Sequence, residues 1–152
     1  DMELPPISTE QQQIIDAVVA GNNILCESVA GSGKTTTNLY LAKSQPTSSF
    51  LLLTYNSKLK LETREKTHLL GLTNLEVHSY HAFCVKYYDK KAYTDTPIKK
   101  IVATNKPPLL KFAYHKIILD EAQDIKPLLF ELITKIIKTG KMIYILLLFH
   151  IQ

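Results

Sequence analysis

Three short apolar runs set the tightest limit on what this chain can fold into: 50-FLLLTY-55, 116-KIILD-120 and 142-MIYILLLF-149. None alternates apolar with polar side chains, so each needs cover on both of its faces. None approaches the ~20 residues that a membrane-spanning helix needs. Stretches of helical character lie between them. Ser8 or Thr9 can cap a helix that carries Gln11, Ile14, Ile15, Val18 and Val19, and Gly21-Asn22-Asn23 ends it. Further helices are predicted over 35-TTTNLYLAKS-44, 57-SKLKLETREKTHL-69, 80-YHAFCVKYYDKK-91 and 127-PLLFELITKIIKT-139, the last with proline in its first turn. Two shorter strands, 24-ILCES-28 and 75-LEVHS-79, complete the series, the first read as buried. The stretch 94-TDTPIKKIVATNKPP-108 is polar, lysine-rich and broken by proline, and yields no element. Strands that alternate with helices and are apolar on both faces predict an α/β fold, a parallel sheet flanked by helices.

The 152 residues suffice for one domain with a core, and 45% hydrophobic with 21% charged residues is an ordinary globular balance. The net charge of +4 permits a nucleic-acid partner without requiring one. The positive charge is lopsided, with 17 lysines and one arginine, Arg64. Cys26 and Cys84 form no C-x-x-C pair and read as reduced thiols. The polar N-terminus, DMELPPISTEQQQ, has no apolar signal core. An intracellular setting, cytoplasm or nucleus, is therefore expected, with no membrane partner. Abundant lysine and isoleucine with scarce arginine fit an A·T-rich coding genome, a viral one among those expected. The chain stops directly after a strand, so a truncated piece of a larger protein is expected, with residues 1–152 as a single lobe.

The stretch 28-SVAGSGKTTT-37 carries the first chemistry. A phosphate-binding loop of the pattern G-x-x-x-x-G-K-[ST] has glycine at its first position, which here is Ser28. That position needs only a small residue that lets the loop turn. Gly31 and Gly33 give a permissive backbone, and the N–H groups along Ala30, Gly31, Ser32 and Gly33 can converge on a β-phosphate. Lys34 supplies charge for the β and γ oxygens, and Thr35, followed by Thr36, supplies a hydroxyl for Mg²⁺. A strand before and a helix after give the required context, with the helix N-terminus aimed at the phosphates. A matching acidic pair ends a strand in 117-IILDEAQD-124. Asp120 can hold Mg²⁺, and Glu121 can take a proton from an attacking water. Together the two stretches predict a nucleoside-triphosphate and Mg²⁺ site on a P-loop NTPase sheet.

The run Asp120-Glu121-Ala122-Gln123-Asp124 resembles the Walker B motif of superfamily 1 DNA helicases of the UvrD/Rep type. The order of other segments is similar. The segment 7-ISTEQQQIIDAV-18 looks like that family's Q motif, which places a glutamine on adenine; Gln11 matches best, with Gln12 and Gln13 as alternatives of register. A small residue in place of the first loop glycine is usual there. The segments 54-TYNSKLKLETR-64 and 77-VHSYHAF-83 resemble motifs Ia and Ib, which line a path for single-stranded DNA. The resemblance spans about residues 7–124 and implies an N-terminal RecA-like ATP-binding lobe. It implies that Gln123 senses the γ-phosphate, and that Tyr55, Asn56, Lys58, His78, Ser79 and Tyr80 meet DNA. The residue types make sense alone: Lys58 and Lys60 can neutralise phosphates, and Tyr55, Tyr80 and Phe83 have faces on which bases can stack. Core packing is the competing role for each of these aromatics, and for Phe83 the favoured one. His78 can contact DNA or cap its strand.

The sequence departs from that family at three points. Residues 84–116 form only a short lysine-rich insertion, whose lysines read as a solvated face. After the last strand, Phe149-His150-Ile151-Gln152 stands where the family has G-D-x-x-Q. The second RecA-like lobe and its arginines are missing, and Arg64 lies in motif Ia, so the chain alone is expected to bind nucleotide and turn it over poorly. Two other classes fit the loop: a nucleotide-switched binding module without hydrolysis, and a P-loop small-molecule kinase, which the single arginine disfavours.

Overall fold

The computed structural model of the chain describes residues 3–29 and 33–150, with backbone alone for 28, 29, 149 and 150. Helix α1 spans Thr9–Val19. Ser8 is its cap: the Ser8 hydroxyl accepts from Gln11 N–H while the Gln11 side chain accepts from Ser8 N–H, a reciprocal capping box. Ile14, Ile15 and Val18 form its buried stripe, and Val19 is 58% exposed. Strand β1 (Ile24–Val29) leads through the glycine loop into α2 (Lys34–Ser44). Then come β2 (Phe50–Leu53), α3 (Ser57–Leu70), β3 (Leu75–His78) and α4 (Tyr80–Tyr87). Helix α5 (Asp95–Ala103) lies in the stretch from which the sequence yields no element. Strand β4 (Lys116–Asp120), α6 (Pro127–Gly140) and β5 (Ile143–His150) complete the described elements.

The five strands form one parallel sheet in the order β1-β5-β4-β2-β3. Right-handed crossovers fix which face each helix covers. The chain moves one way across the sheet through α2 and α3, then returns through α4, α5 and α6, so the two sets lie on opposite faces. The side chains confirm this partition. Phe50, Leu52, Leu75, Val77, Ile118, Ile145 and Leu147 form one core with α1 and α2. Leu51, Leu53, Ile117 and Leu119 form the other with α4, α5 and α6. Every residue of β2 and β4 is buried, as their unbroken apolar runs demand. At ~1.5–3 kcal/mol for each large apolar side chain, these two strands dominate the stabilisation of the sheet.

One expectation needs correction. Strand β1 is not buried on both faces: it pairs with β5 alone among the described residues, and Leu25 is 62% exposed. In 84–116 most of the lysines are exposed, as expected, and Lys116 is buried, but the stretch also feeds the core. Tyr88, Ala92, Ile98 and Ile101 from it are buried in the second core, and Ile98 and Ile101 form the inner stripe of α5. Among the described residues no helix is long and apolar enough to cross a membrane.

Candidate nucleotide site

In an open parallel sheet, ligands bind beyond the carboxyl ends of the strands, where neighbouring connections leave toward opposite faces. Here β1 runs on to α2 on one face, and β4 runs on to α6 on the other. The phosphate loop and the acidic pair follow these two strands. Ala30, Gly31 and Ser32 lie outside the described residues, as does the side chain of Ser28, so the expectations placed on them stay as sequence readings.

Gly33 caps α2 with φ 96°, a left-handed backbone in which an L side chain is strained. No side chain caps this helix among the described residues. The first-turn N–H groups, with the positive end of the helix dipole, therefore face outward for an anion. Thr35 is buried beneath that turn, and Thr36 lines a cavity of about 390 Å³ in front of it with Gly33, Lys34, Asn56, Lys58 and Glu62 among the other lining residues. Gln11 faces the same helix: its amide nitrogen donates to the Thr37 hydroxyl at 3.2 Å, and Thr37 in turn donates to Gly33 carbonyl. Of the three glutamines in register, Gln12 instead pairs with Asp16, and Gln13 is exposed.

Asp120 closes β4 on the side of the sheet that carries α2. It is 1% exposed, and neither carboxylate oxygen has a well-formed hydrogen bond within the described residues. Burial pushes its carboxyl up to about 6; the neighbouring Lys34 charge works against that rise, while Glu121 adds to it. A buried acid without a partner is costly to ionise. This is the state expected of a group whose partner is a cation. Asp120 and the Thr35 hydroxyl fit Mg²⁺, a hard ion that takes one or two protein oxygens and completes its shell with phosphate oxygens and water. No cluster of three or more acidic, histidine or cysteine ligands occurs among the described residues, so an ion held by protein side chains alone has no support.

Glu121 follows in a left-handed conformation, φ 53° and ψ 44°, uncommon for a residue with a side chain. That backbone turns the carboxylate back toward α2, where it forms an ion pair with Lys34. The two catalytic expectations, Lys34 and Glu121, are thus brought together. Gln123 lies exposed in the single 3-10 turn Ala122–Asp124 that follows.

The residues expected to meet DNA divide into groups. Tyr55, Ser57, Lys60, Leu61 and Ser79 line a separate nook of about 200 Å³ beyond the ends of β2 and β3. Tyr55 is 39% exposed and its hydroxyl accepts from Lys126 N–H at 3.3 Å, tying this nook to the segment after Asp124. Tyr80 departs from expectation. It is 1% exposed, packed under Tyr55 with ring centroids 4.8 Å apart, and presents no face for stacking. Phe83 is core, as the sequence favoured. His78 is turned toward Glu76 at 3.1 Å, and burial above all lowers its pKa. Asn56 and Ser79 cap α3 and α4, accepting from Leu59 and Ala82 N–H. Lys58 is on the other side of α3, in the cavity before α2. The lone arginine is committed to structure: Arg64 donates through Nε and Nη2 to the Val77 carbonyl.

Sequence reasoning missed Glu62 and Lys66, which share the cavity wall with Lys58 and pair with each other at 2.8 Å. Their spacing of four from Lys58 onward, one helix face, is the signal that could have found them.

No curated protein matches the chain. A family model described as an AAA domain matches residues 11–148, a span that runs from Gln11 through the phosphate loop and the acidic pair into β5. With nine-tenths of the chain inside that match and the parallel sheet in place, the chain belongs to the AAA domain family of P-loop NTPase modules.

Proposed function

We propose that this chain is the N-terminal RecA-like lobe of an ATP-dependent DNA helicase of the UvrD/Rep type, which moves along single-stranded DNA and unwinds duplex. The observation that carries the nucleotide half is the buried Asp120 carboxylate, with no well-formed hydrogen bond among the described residues, beside the Lys34–Glu121 pair and the start of α2, which no described side chain caps. Lys34 and the α2 N–H groups hold the phosphates of ATP, and Gln11 favours adenine. Thr35 and Asp120 hold Mg²⁺, which when bound neutralises charge on the β and γ oxygens. Glu121 leaves Lys34 when phosphate arrives and is then placed to orient a water and accept its proton. That water's oxygen bonds to the γ-phosphorus as the bridging P–O bond breaks, giving ADP and phosphate. Gln123, beside the carboxylates in sequence, reports the γ-phosphate. The DNA half rests on the Tyr55 nook, where an exposed aromatic ring, Lys60 and the hydroxyl residues Thr54, Ser57 and Ser79 lie together.

In the reading proposed, the second lobe supplies the arginines that this lobe lacks, so the lobe alone binds ATP and turns it over slowly. Poly-dT stimulation of ATP hydrolysis by the protein with both lobes tests the reading. The expected result is stimulation that disappears in Glu121→Gln. Turnover indifferent to DNA would leave a nucleotide-switched module as the better account.

A further inference from the structure

Helix α3 separates the two cavities of this face. Its residues Lys58, Glu62 and Lys66, spaced four apart, line the cavity in front of α2, whereas Ser57, Lys60 and Leu61 line the Tyr55 nook. The two lysines of the first turn, only two positions apart, therefore serve different cavities. Three lysines stand on the wall before α2. Lys34 is paired with Glu121 and Lys66 with Glu62, while Lys58 makes no ion pair among the described residues. An incoming polyphosphate thus meets, in Lys58, a positive charge that needs no carboxylate displaced. No arginine competes for that task, because Arg64 is bound to the Val77 carbonyl.

We propose that Lys58 is a phosphate-binding residue of the nucleotide site, acting on the terminal phosphate and so favouring triphosphate over diphosphate, and is not a nucleic-acid contact. The inference rests on the reading that the first turn of α2 holds a nucleotide. Phosphates seated on that turn occupy the cavity whose opposite wall carries Lys58. A triphosphate brings one more charged group into that cavity than a diphosphate does, so it gains more from the Lys58 charge. A charge-assisted contact of this kind supports about a tenfold difference in affinity.

Titration of the full chain with Mg²⁺-ATP, Mg²⁺-ADP and a dT oligonucleotide tests this, using wild type, Lys58→Ala, Lys58→Arg and Lys34→Ala. Lys58 is exposed, so its variants should melt like wild type. The expected pattern is about tenfold weaker ATP binding in Lys58→Ala, a much smaller change for ADP, recovery in Lys58→Arg, and unchanged oligonucleotide binding. Wild-type ATP affinity in Lys58→Ala, with ATP binding lost in Lys34→Ala, would overturn the role of Lys58 and leave the phosphate site standing. A loss confined to the oligonucleotide would overturn it too, returning Lys58 to the nucleic-acid side. Wild-type affinity in Lys34→Ala would bring down the phosphate site itself, and the inference with it.

Discussion

At the scale of single residues, the site holds opposed charges in an arrangement that nucleotide must rearrange. The Lys34–Glu121 pair occupies the lysine that phosphate needs, and the second carboxylate repels phosphate. Glu121→Gln should therefore bind Mg²⁺-ATP a few-fold tighter, since a partly exposed ion pair contributes ~1 kcal/mol at most, and should lose hydrolysis. Equal or weaker binding by calorimetric titration would show that the pair does not oppose nucleotide. Asp120 gives a pH signature. Its carboxyl rises from the ordinary 3.8 to about 6 in the folded protein, so folding favours the protonated form. The stability this contributes is complete below pH 3.8 and is lost as pH rises through about 6. In EDTA, Asp120→Asn should gain stability relative to wild type between pH 4 and pH 7.5, by about 3 kcal/mol as an upper bound. Urea melts at the two pH values measure it, and a pH-independent difference would contradict the buried state of this carboxyl. Much of this site is legible in the sequence, because strand, glycine, lysine and hydroxyl follow one another without a gap, and a carboxylate pair ends an apolar run. The fate of Tyr80 is not, since a tyrosine one residue past a strand has the same sequence pattern whether its ring faces water or lies under Tyr55.

At the scale of elements, α3 is the part whose position matters to both cavities. Asn56 caps it through Leu59 N–H at 3.0 Å. Asn56→Ala should lower stability by about 1 kcal/mol, and Asn56→Ser, another good cap, should recover most of that. Thermal melts decide it; loss of oligonucleotide binding without loss of stability would instead mark Asn56 as a nucleic-acid contact. Helix α5 shows why one element escaped sequence reading. Pro97 is tolerated in its first turn, and its two buried residues, Ile98 and Ile101, are flanked by enough lysine to hide a short stripe. The pairing partners of each strand are likewise absent from local pattern. Nothing in 24-ILCES-28 distinguishes an outer strand from an inner one, since that depends on β5, more than a hundred residues away.

At the scale of the whole molecule, stability is concentrated at the middle of the sheet and the chemistry at one end of it. Leu52, fully buried in β2, should cost about 2–5 kcal/mol when changed to Ala, whereas Leu25→Lys on outer strand β1 should stay within about 0.5 kcal/mol of wild type. Comparable losses at the two positions in urea unfolding would mean that β1 is covered in solution. Parallel pairing of β1 and β4 with β5 between them sets the end of β1 and the acidic pair after β4 at the same edge of the sheet. The central claim is that this end is a nucleotide site in which Lys34 holds phosphate. Titration of the chain with Mg²⁺-ATP tests it most directly. Saturable binding in wild type that is lost in Lys34→Ala, with an unchanged melting temperature, is the predicted result; undiminished affinity in Lys34→Ala would contradict it.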